Sequence, residues 1–265
     1  MKIFHEAPTS IFDKVQLLTD GDYALVHLLE SGEYPEYERL FKQAVVSGRE
    51  VILDNSIFEL GNAVSGDVLA KWVEEIRPEW YIVPDALEDR DRTVNQFHDF
   101  IEAYPDLPGK RIGVLQGTSD RQLMECYEEL SPYCDMIAIS FDYSHWLLNP
   151  TPPSQWHSYM GGRIKFIHKY AHAMRRYMPH HLLGSALPQE LRYYKGLNKA
   201  FPSLLYSIDT SNPVVHGFFG ASYTREGLQS KMSIKLCDLI NAEVPKENEK
   251  IIINNITAFR RFWYE

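Results

Sequence analysis

Eight short apolar runs alternate with amphipathic stretches along the chain, and this alternation constrains the fold more than any other feature. The length and apolar character of each run are typical of a buried strand. The predicted strands are Lys2–His5, Tyr23–Leu29, Glu50–Asp54, Trp80–Pro84, Arg111–Gln116, Asp135–Phe141, His181–Ser185 and Leu204–Asp209. The helical patterns between them include Glu36–Val46, Gly66–Ile76, Arg90–Tyr104, Asp120–Leu130 and Pro188–Ala200.

Strands that alternate with helices predict an α/β fold, here a closed parallel TIM (β/α)8 barrel. A doubly wound open sheet is the alternative, although no Gly-x-Gly-x-x-Gly turn follows any predicted strand. A length of 265 residues suits one domain with a substantial core, so residues 1–265 are predicted to form a single domain.

Two departures from a plain barrel are predicted. A long Pro- and aromatic-rich insertion, Asp142–Gly162, follows a mid-barrel strand, where it can serve as a lid or platform. After the last strand we expect a loop at Thr210–Tyr223 and a helix near Glu226–Asn241. The C-terminal segment, Ile251–Glu265, is expected to pack back on the barrel.

Composition narrows the class of protein. No run of about 18 apolar residues is present, which predicts no membrane span, and the N-terminus lacks the apolar core of a signal peptide. The three cysteines, Cys126, Cys134 and Cys237, are too few for a disulfide framework. We therefore expect a reducing, cytoplasmic location.

Basic residues are concentrated in one segment of an acidic chain. The net charge is −9, but the segment from Gly161 to Ala200 carries +7, which leaves −16 on the rest. Its cations are Arg163, Lys165, Lys169, Arg175, Arg176, Arg192, Lys195 and Lys199. Two interpretations stay open at this point, a face that attracts phosphates and an ordinary solvated helix face.

Polar side chains stand at the carboxyl ends of four predicted strands, where TIM barrels build their active sites. They are Asp54, Asp85, Gln116 and Asp209. Any one of them could cap the following helix, but four caps are a less economical explanation than one shared site. Like charges gathered at a barrel mouth are costly unless they bind a ligand or transfer protons.

Histidine placement argues against a metal centre. No strand end carries a His-x-His pair, and most histidines fall in helices or loops. His180 and His181 are predicted to precede a strand, at the face opposite the active site, and His216 to lie in the loop after Asp209. We predict neither a metal nor a cofactor.

Five segments, in order, resemble motifs of the tRNA-guanine transglycosylases. Leu53–Glu59 resembles the family's Ser-Asp-Ser-Gly-Gly-Phe/Tyr-Gln, and Gly113–Gly117 resembles its Gly-Ile-Val-Gln-Gly. Leu182–Pro188 is similar to Leu-Met-Gly-Val-Gly-x-Pro, and Ile208–Pro213 to Phe-Asp-Cys-Val-x-Pro. Val83–Asp85 stands where the family has Asp-Glu/Val-Cys-Thr.

The chain also departs from that family. Ser56 and Ile57 replace the double glycine, Glu59 replaces the glutamine, and the cysteine-rich zinc site is missing from a shorter chain. These features resemble the short branch, found in phages and some bacterial islands, that inserts 7-deazaguanine (preQ0-like) bases into DNA.

The resemblance implies a base-exchange reaction with a role for each matching residue. It implies that Asp209 is the nucleophile and that Asp54 transfers protons. Base recognition would fall to Asp85, Gln116, Gly117, Gly184 and Phe58, the last by stacking. Together with the basic segment, it implies that Lys165, Lys169, Arg175 and Arg176 contact nucleic acid. The alternatives are a tRNA-guanine transglycosylase, an N-glycosylase that uses water, and a non-catalytic nucleic-acid-binding paralogue.

Overall fold

The computed structural model of the chain describes residues 1–147, 153–174 and 178–265. Its strands are β1 (Lys2–Phe4), β2 (Asp22–Leu25), β3 (Val51–Asp54), β4 (Trp80–Ile82), β5 (Lys110–Val114), β6 (Met136–Ser140), β7 (His180–Leu183) and β8 (Leu205–Asp209). Its α-helices are α1 (Phe12–Gln16), α2 (Val26–Glu30), α3 (Pro35–Val46), α4 (Ile57–Leu60), α5 (Gly66–Ile76), α6 (Arg90–Ala103), α7 (Asp120–Leu130), α8 (Gln155–Met174), α9 (Leu191–Ala200), α10 (Asn212–Phe218) and α11 (Lys246–Tyr264).

The strands form one parallel sheet in the order β1-β8-β7-β6-β5-β4-β3-β2 and alternate with helices. This is the α/β architecture of a TIM-like (β/α)8 barrel, so the predicted fold is confirmed. Most strand residues are buried, as expected for parallel strands covered on both faces. Chain contacts divide the molecule into two compact units, here called the β2–β5 unit (residues 21–138) and the β7–β8 unit (residues 1–20 and 139–265).

In the β2–β5 unit, amphipathic helices cover a short parallel ladder. α5 shows how the sequence sets its helix: the Ser65 side chain accepts a hydrogen bond from Val68 N and caps the start. The helix ends at Arg77, whose φ of 55° takes the chain out of the helical region. Its buried face carries Leu69, Trp72, Val73 and Ile76. This 3- and 4-residue spacing is the one that the sequence pattern predicted.

In the β7–β8 unit, the strand register places residues of β1 and β7 directly beside Ser207 and Asp209 of β8. Phe4 of β1 lies beside Asp209 of β8, and His181 of β7 lies beside Ser207 of β8. The C-terminal segment forms α11, whose buried side chains are Ile252, Asn255, Ile256, Phe259 and Phe262. It packs on α10, where any side chain at Gly217 would meet Ile252. The expectation that this segment packs back on the fold is confirmed.

Two predicted strand boundaries are wrong. The second strand ends at Leu25 rather than Leu29, because Val26 begins α2 and His27 N donates to Ser56 Oγ at 3.1 Å. His180 and His181 lie within β7 and do not precede it.

The expected helix near Glu226–Asn241 is wrong as well. Apart from a 3-10 turn at Leu236–Leu239, that stretch is irregular, and α10 falls in the predicted loop instead. Pro213 in the first turn of α10 suits a helix start, whereas Gly227 has a φ of 104° that no helix accommodates.

The predicted insertion Asp142–Gly162 is only partly visible, since residues 148–152 lie outside the described residues. Its described parts are a 3-10 turn at Ser144–Trp146 and the first two turns of α8. Within the described residues, no helix has the length and apolar character needed to cross a membrane.

Candidate functional site

Asp209 ends β8, and its carboxylate is anchored through one oxygen. Oδ1 accepts hydrogen bonds from His181 Nε2 at 3.0 Å and from Gly184 N at 2.9 Å. The other oxygen, Oδ2, accepts no hydrogen bond from the described residues. Asp209 is buried but keeps a small contact with solvent, since 6% of the residue is exposed. Such a carboxylate is held in orientation while one oxygen keeps its lone pairs for another partner.

His181 connects Asp209 to the core. Its Nδ1 lies 2.7 Å from Ser207 Oγ, so Ser207, His181 and Asp209 form a continuous hydrogen-bond chain. Ser207 and His181 are fully buried, which leaves Ser207 out of reach of any substrate as a nucleophile. Sequence reasoning missed His181 by placing it before the strand. A partial signal was available: the alternation of β8 puts Ser207 and Asp209 on one face, which indicates a polar cluster beside Asp209.

Gly184 is required by backbone conformation at the end of β7. Its φ is 65°, in the left-handed region that glycine adopts without cost. The nearest atom to an added Cβ would be Phe141 Cβ at 3.9 Å, so space alone would admit a side chain. This conformation aims Gly184 N at Asp209 and its carbonyl at Arg163 Nη2, 2.8 Å away.

Arg163, predicted to belong to a basic face, is instead buried beneath the strand ends. Its guanidinium pairs with Glu190 through Nε–Oε1 and Nη2–Oε2 contacts, both 2.8 Å. It also donates to the carbonyls of Ile139, Leu183 and Gly184. All five N–H donors of the guanidinium thereby have partners. Arg163 therefore fixes the strand ends that position Asp209, and it is not a surface cation.

Other members of the basic segment remain at the surface. Lys165 and Lys169 are exposed on α8. They follow Arg163 by two and six residues, so they lie about 3 and 9 Å further along the helix, away from the strand ends. Arg192 stacks on Phe262 and donates to the carbonyl of Arg225. Arg175 and Arg176, also predicted to contact nucleic acid, lie outside the described residues.

In the β2–β5 unit, Asp54 ends β3 in a tight polar turn. Its Oδ2 accepts a short hydrogen bond from the Tyr23 hydroxyl, and Oδ1 accepts one from Ser56 N. Ser56 has a φ of 63°, a strained conformation for any residue except glycine. The resembling motif has a glycine at this place, so the chain keeps the turn while changing the residue.

Asp85 forms the centre of a second, closed polar cluster. Its Oδ1 accepts from Asn55 Nδ2 at 2.7 Å, and its Oδ2 accepts from Gln116 Nε2 at 2.6 Å. Gln116 Oε1 in turn accepts from Glu88 N. Burial raises the pKa of Asp85 to about 6 and the charge of Asp54 adds to this, whereas the Asn55 and Gln116 hydrogen bonds lower it. A ligand would have to displace some of these contacts to reach Asp85.

Phe58 and Gly117 complete the predicted set. Phe58 is 46% exposed in the short helix α4, so it is not a core residue. Gly117 has a φ of 151°, and a Cβ there would lie 2.7 Å from Gln122 Cβ. Backbone geometry alone therefore requires this glycine. The structure thus brings Asp54, Asp85 and Gln116 together in the β2–β5 unit, and Asp209 with Gly184 in the β7–β8 unit.

His216, expected in a surface loop, is instead buried in α10 beside Tyr223, with ring centroids 5.8 Å apart. Burial lowers the pKa of its imidazole. Among the described residues, no group of three or more His, Cys, Asp or Glu side chains is arranged to hold a metal ion.

Comparison of the chain with protein-family models and with curated proteins found no match in either case. The resemblance to transglycosylases therefore remains a prediction carried by the motifs.

Proposed function

We propose that this protein is a base-exchange transglycosylase that replaces guanine in DNA with a 7-deazaguanine base, with Asp209 as the nucleophile. The observation that supports this best is the anchored carboxylate: Oδ1 is held by two donors, and no donor among the described residues reaches Oδ2. A nucleophile needs this arrangement, because fixing one oxygen reduces the number of orientations that the attacking oxygen must search.

In the proposed reaction, Asp209 Oδ2 attacks the sugar C1′ while the bond from C1′ to the base nitrogen breaks. The base leaves with the bonding pair and takes up a proton, for which Asp54 is the proposed donor. The incoming base then returns a proton to Asp54 and its nitrogen attacks C1′, which breaks the bond from C1′ to Oδ2 and releases the carboxylate. Two inversions give net retention, and the phosphodiester backbone stays intact throughout.

Base recognition is assigned to the β2–β5 unit. A carboxylate accepts from the ring N–H and exocyclic amine of guanine, and a carboxamide can donate to its carbonyl. Asp85 and Gln116 are these groups, with Phe58 as a stacking ring and the backbone of Gly117 as a further contact. The backbone of Gly184, which belongs to the β7–β8 unit, is also a proposed contact. Since Asp85 is bonded to Asn55 and Gln116 in the free protein, base binding has to replace those partners, and a wrong base leaves them unpaired.

Nucleic-acid contacts are required because C1′ is reachable only when the nucleotide is extruded or single-stranded. Lys165 and Lys169 are candidate contacts on α8. A second candidate surface, here called the strap, is the segment from Thr224 to Lys235. It is anchored beside the end of β7, where Gln189 bonds both the N–H and the carbonyl of Leu228. Its cations are Arg225, Lys231 and Lys235, and Lys231 lies over the Trp156 ring.

The test is incorporation of labelled guanine, or of 7-cyano-7-deazaguanine, into duplex DNA, single-stranded DNA and tRNA. The wild type is compared with Asp209→Asn and with Asp89→Asn, a control in which the new residue can still cap α6. We expect label in DNA with the wild type and the control, and none with Asp209→Asn.

Other outcomes would replace the proposal with a named alternative. Label in tRNA alone would make the protein a tRNA-guanine transglycosylase. Release of guanine without incorporation would make it an N-glycosylase. Binding to nucleic acid with neither reaction would indicate a non-catalytic paralogue.

A further inference from the structure

The hydrogen-bond chain from Ser207 through His181 to Asp209 has a function beyond holding two strands together. We propose that His181 is a positioning residue that orients Asp209 for attack and stabilises it as the leaving group in the second half of the reaction. The inference rests on the proposed function and adds a residue that the motif comparison did not supply.

The chain has a defined direction. An ionised carboxylate only accepts hydrogen bonds, so the contact between His181 Nε2 and Asp209 Oδ1 places a hydrogen on Nε2. In the neutral ring, Nδ1 then accepts from the Ser207 hydroxyl, 2.7 Å away. A buried serine thus selects the imidazole tautomer that donates to the nucleophile.

The surroundings hold the ring in this orientation. The Phe4 ring packs edge-on against His181 from β1, and His181 itself is fully buried. Two other buried groups, His5 and Arg163, interact electrostatically with Asp209. Neither of them is hydrogen-bonded to Asp209, whereas His181 and Gly184 N both are.

The two half-reactions use the His181 contact differently. When Asp209 attacks C1′, its negative charge disappears and the hydrogen bond to Oδ1 weakens. When the incoming base attacks, the bond from C1′ to Oδ2 breaks and the electron pair returns to the carboxylate. The hydrogen bond then strengthens, so losing it slows release more than attack, and the glycosyl-enzyme accumulates.

Three substitutions separate the two ring contacts. In His181→Gln the amide nitrogen can replace Nε2 and donate to Asp209. In His181→Asn the side chain reaches the Nδ1 position beside Ser207 but not Asp209. In His181→Phe both contacts are lost. His180→Phe is the control, because it removes the adjacent buried imidazole of β7, whose Nδ1 contacts the Leu204 carbonyl instead.

We expect kcat to fall about 10- to 100-fold in His181→Asn and His181→Phe, with KM for DNA little changed. His181→Gln should retain activity within about threefold of the wild type, because it keeps the donor. The covalent DNA–protein adduct, measured on denaturing gels during turnover, should increase in His181→Asn and His181→Phe. His180→Phe should lose stability without this accumulation.

Two results would overturn the inference. One is equal activity of His181→Gln and His181→Asn, which would make the contact to Asp209 irrelevant. The other is a fall in adduct that parallels the fall in kcat, which would leave His181 a merely structural residue.

Imidazole 15N NMR of the wild type and Asp209→Asn separates failure of this inference from failure of the proposed function. A protonated Nε2 whose signal shifts in Asp209→Asn supports the hydrogen-bond chain without reference to activity. If the signal shows this and the wild type exchanges no base, the proposed function is wrong and the chain is structural. If exchange proceeds and Nε2 is unprotonated, the inference alone is wrong.

Discussion

The carboxylates of Asp209 and Asp85 differ in how many hydrogen bonds each of their oxygens accepts from the protein. At the end of β8, Asp209 accepts from two donors on one oxygen and, within the part of the chain that the structure describes, from none on the other. In the β2–β5 unit, Asp85 has one amide donor on each oxygen, and burial raises its pKa to about 6. One oxygen of Asp209 is therefore fixed while the other can contact a ligand, whereas both oxygens of Asp85 already accept hydrogen bonds from protein side chains. The comparison shows that burial and hydrogen bonding can leave one buried carboxylate with an unengaged oxygen and another with both oxygens engaged; in the proposed reaction the first attacks and the second exchanges its partners for a base.

Each site also has a different support. Asp209 depends on Gly184 and His181, and Gly184 is held by the buried Arg163–Glu190 pair. Asp85 depends on side-chain amides that themselves bond to backbone groups, Asn55 to the Val83 carbonyl and Gln116 to Glu88 N. We therefore expect substitutions around Asp209 to lower stability by leaving a buried charge unpaired. Substitutions at Asp85 should instead change how stability depends on pH.

The largest stability effect should come from Arg163→Met. The substitution leaves Glu190 as an uncompensated buried carboxylate, at a cost of about 3–5 kcal/mol in unfolding free energy. Urea denaturation measures it. The double variant Arg163→Met/Glu190→Leu should recover part of the loss, because no charge is then left unpaired. A loss below about 1 kcal/mol for Arg163→Met would show that this support is unimportant.

The next effect is a pH dependence at Asp85. Because its folded pKa of about 6 lies above the ordinary aspartate value of 3.8, the folded state binds the proton more tightly than the unfolded chain. Its stability contribution is complete below pH 3.8 and is lost as the pH rises through about 6, a change on the order of 3 kcal/mol. Asp85→Asn removes the titration. The unfolding free energy of the wild type, minus that of the variant, should therefore fall across this window, and a constant difference would contradict the raised pKa.

A smaller effect tests the turn after Asp54. Ser56→Gly and Ser56→Ala both lose the hydroxyl that accepts from His27 N, but only glycine relieves the φ of 63°. The glycine variant should be more stable than the alanine variant by about 1–2 kcal/mol in thermal or urea unfolding. Equal stability of the two variants would mean that the backbone at Ser56 carries no strain.

The smallest effect should separate the two candidate nucleic-acid surfaces. Lys231→Ala/Lys235→Ala should weaken single-stranded DNA binding several-fold and reduce the slope of log K against log salt by about 1.4, or about 0.7 for each lysine. Lys165→Ala/Lys169→Ala, which removes the same charge from α8, should change either quantity less. Fluorescence anisotropy over a salt series measures both. A larger effect of Lys165→Ala/Lys169→Ala than of Lys231→Ala/Lys235→Ala would assign the nucleic-acid contact to α8 instead of the strap.

Local pattern was sufficient to predict the fold. Seven of the eight predicted strands end within two residues of the observed ones, because burial on both faces gives parallel strands an unmistakable apolar run. The polar strand ends were found for the same reason, since each one interrupts such a run. Asp54, Asp85, Gln116 and Asp209 all follow directly from where the apolar residues stop.

What the sequence could not predict is which polar groups pair over long separations. Arg163 looked like one more cation in a basic segment, because its partner Glu190 is brought near only by folding. The alternation of β8 puts Ser207 and Asp209 on one face, but only the register between β7 and β8 identifies His181 as the residue beside Ser207. The helix predicted near Glu226–Asn241 failed for a similar reason, since the distant Gln189 bonds both backbone groups of Leu228, which are then not available to a helix.

The most direct test of the central claim is to trap the covalent intermediate. The protein is incubated with DNA in the absence of an acceptor base, denatured, digested and mapped by mass spectrometry. We expect a nucleotide adduct on the peptide that contains Asp209, and no adduct in Asp209→Asn. An adduct on Asp54 or Asp85, or base exchange that persists in Asp209→Asn, would contradict it.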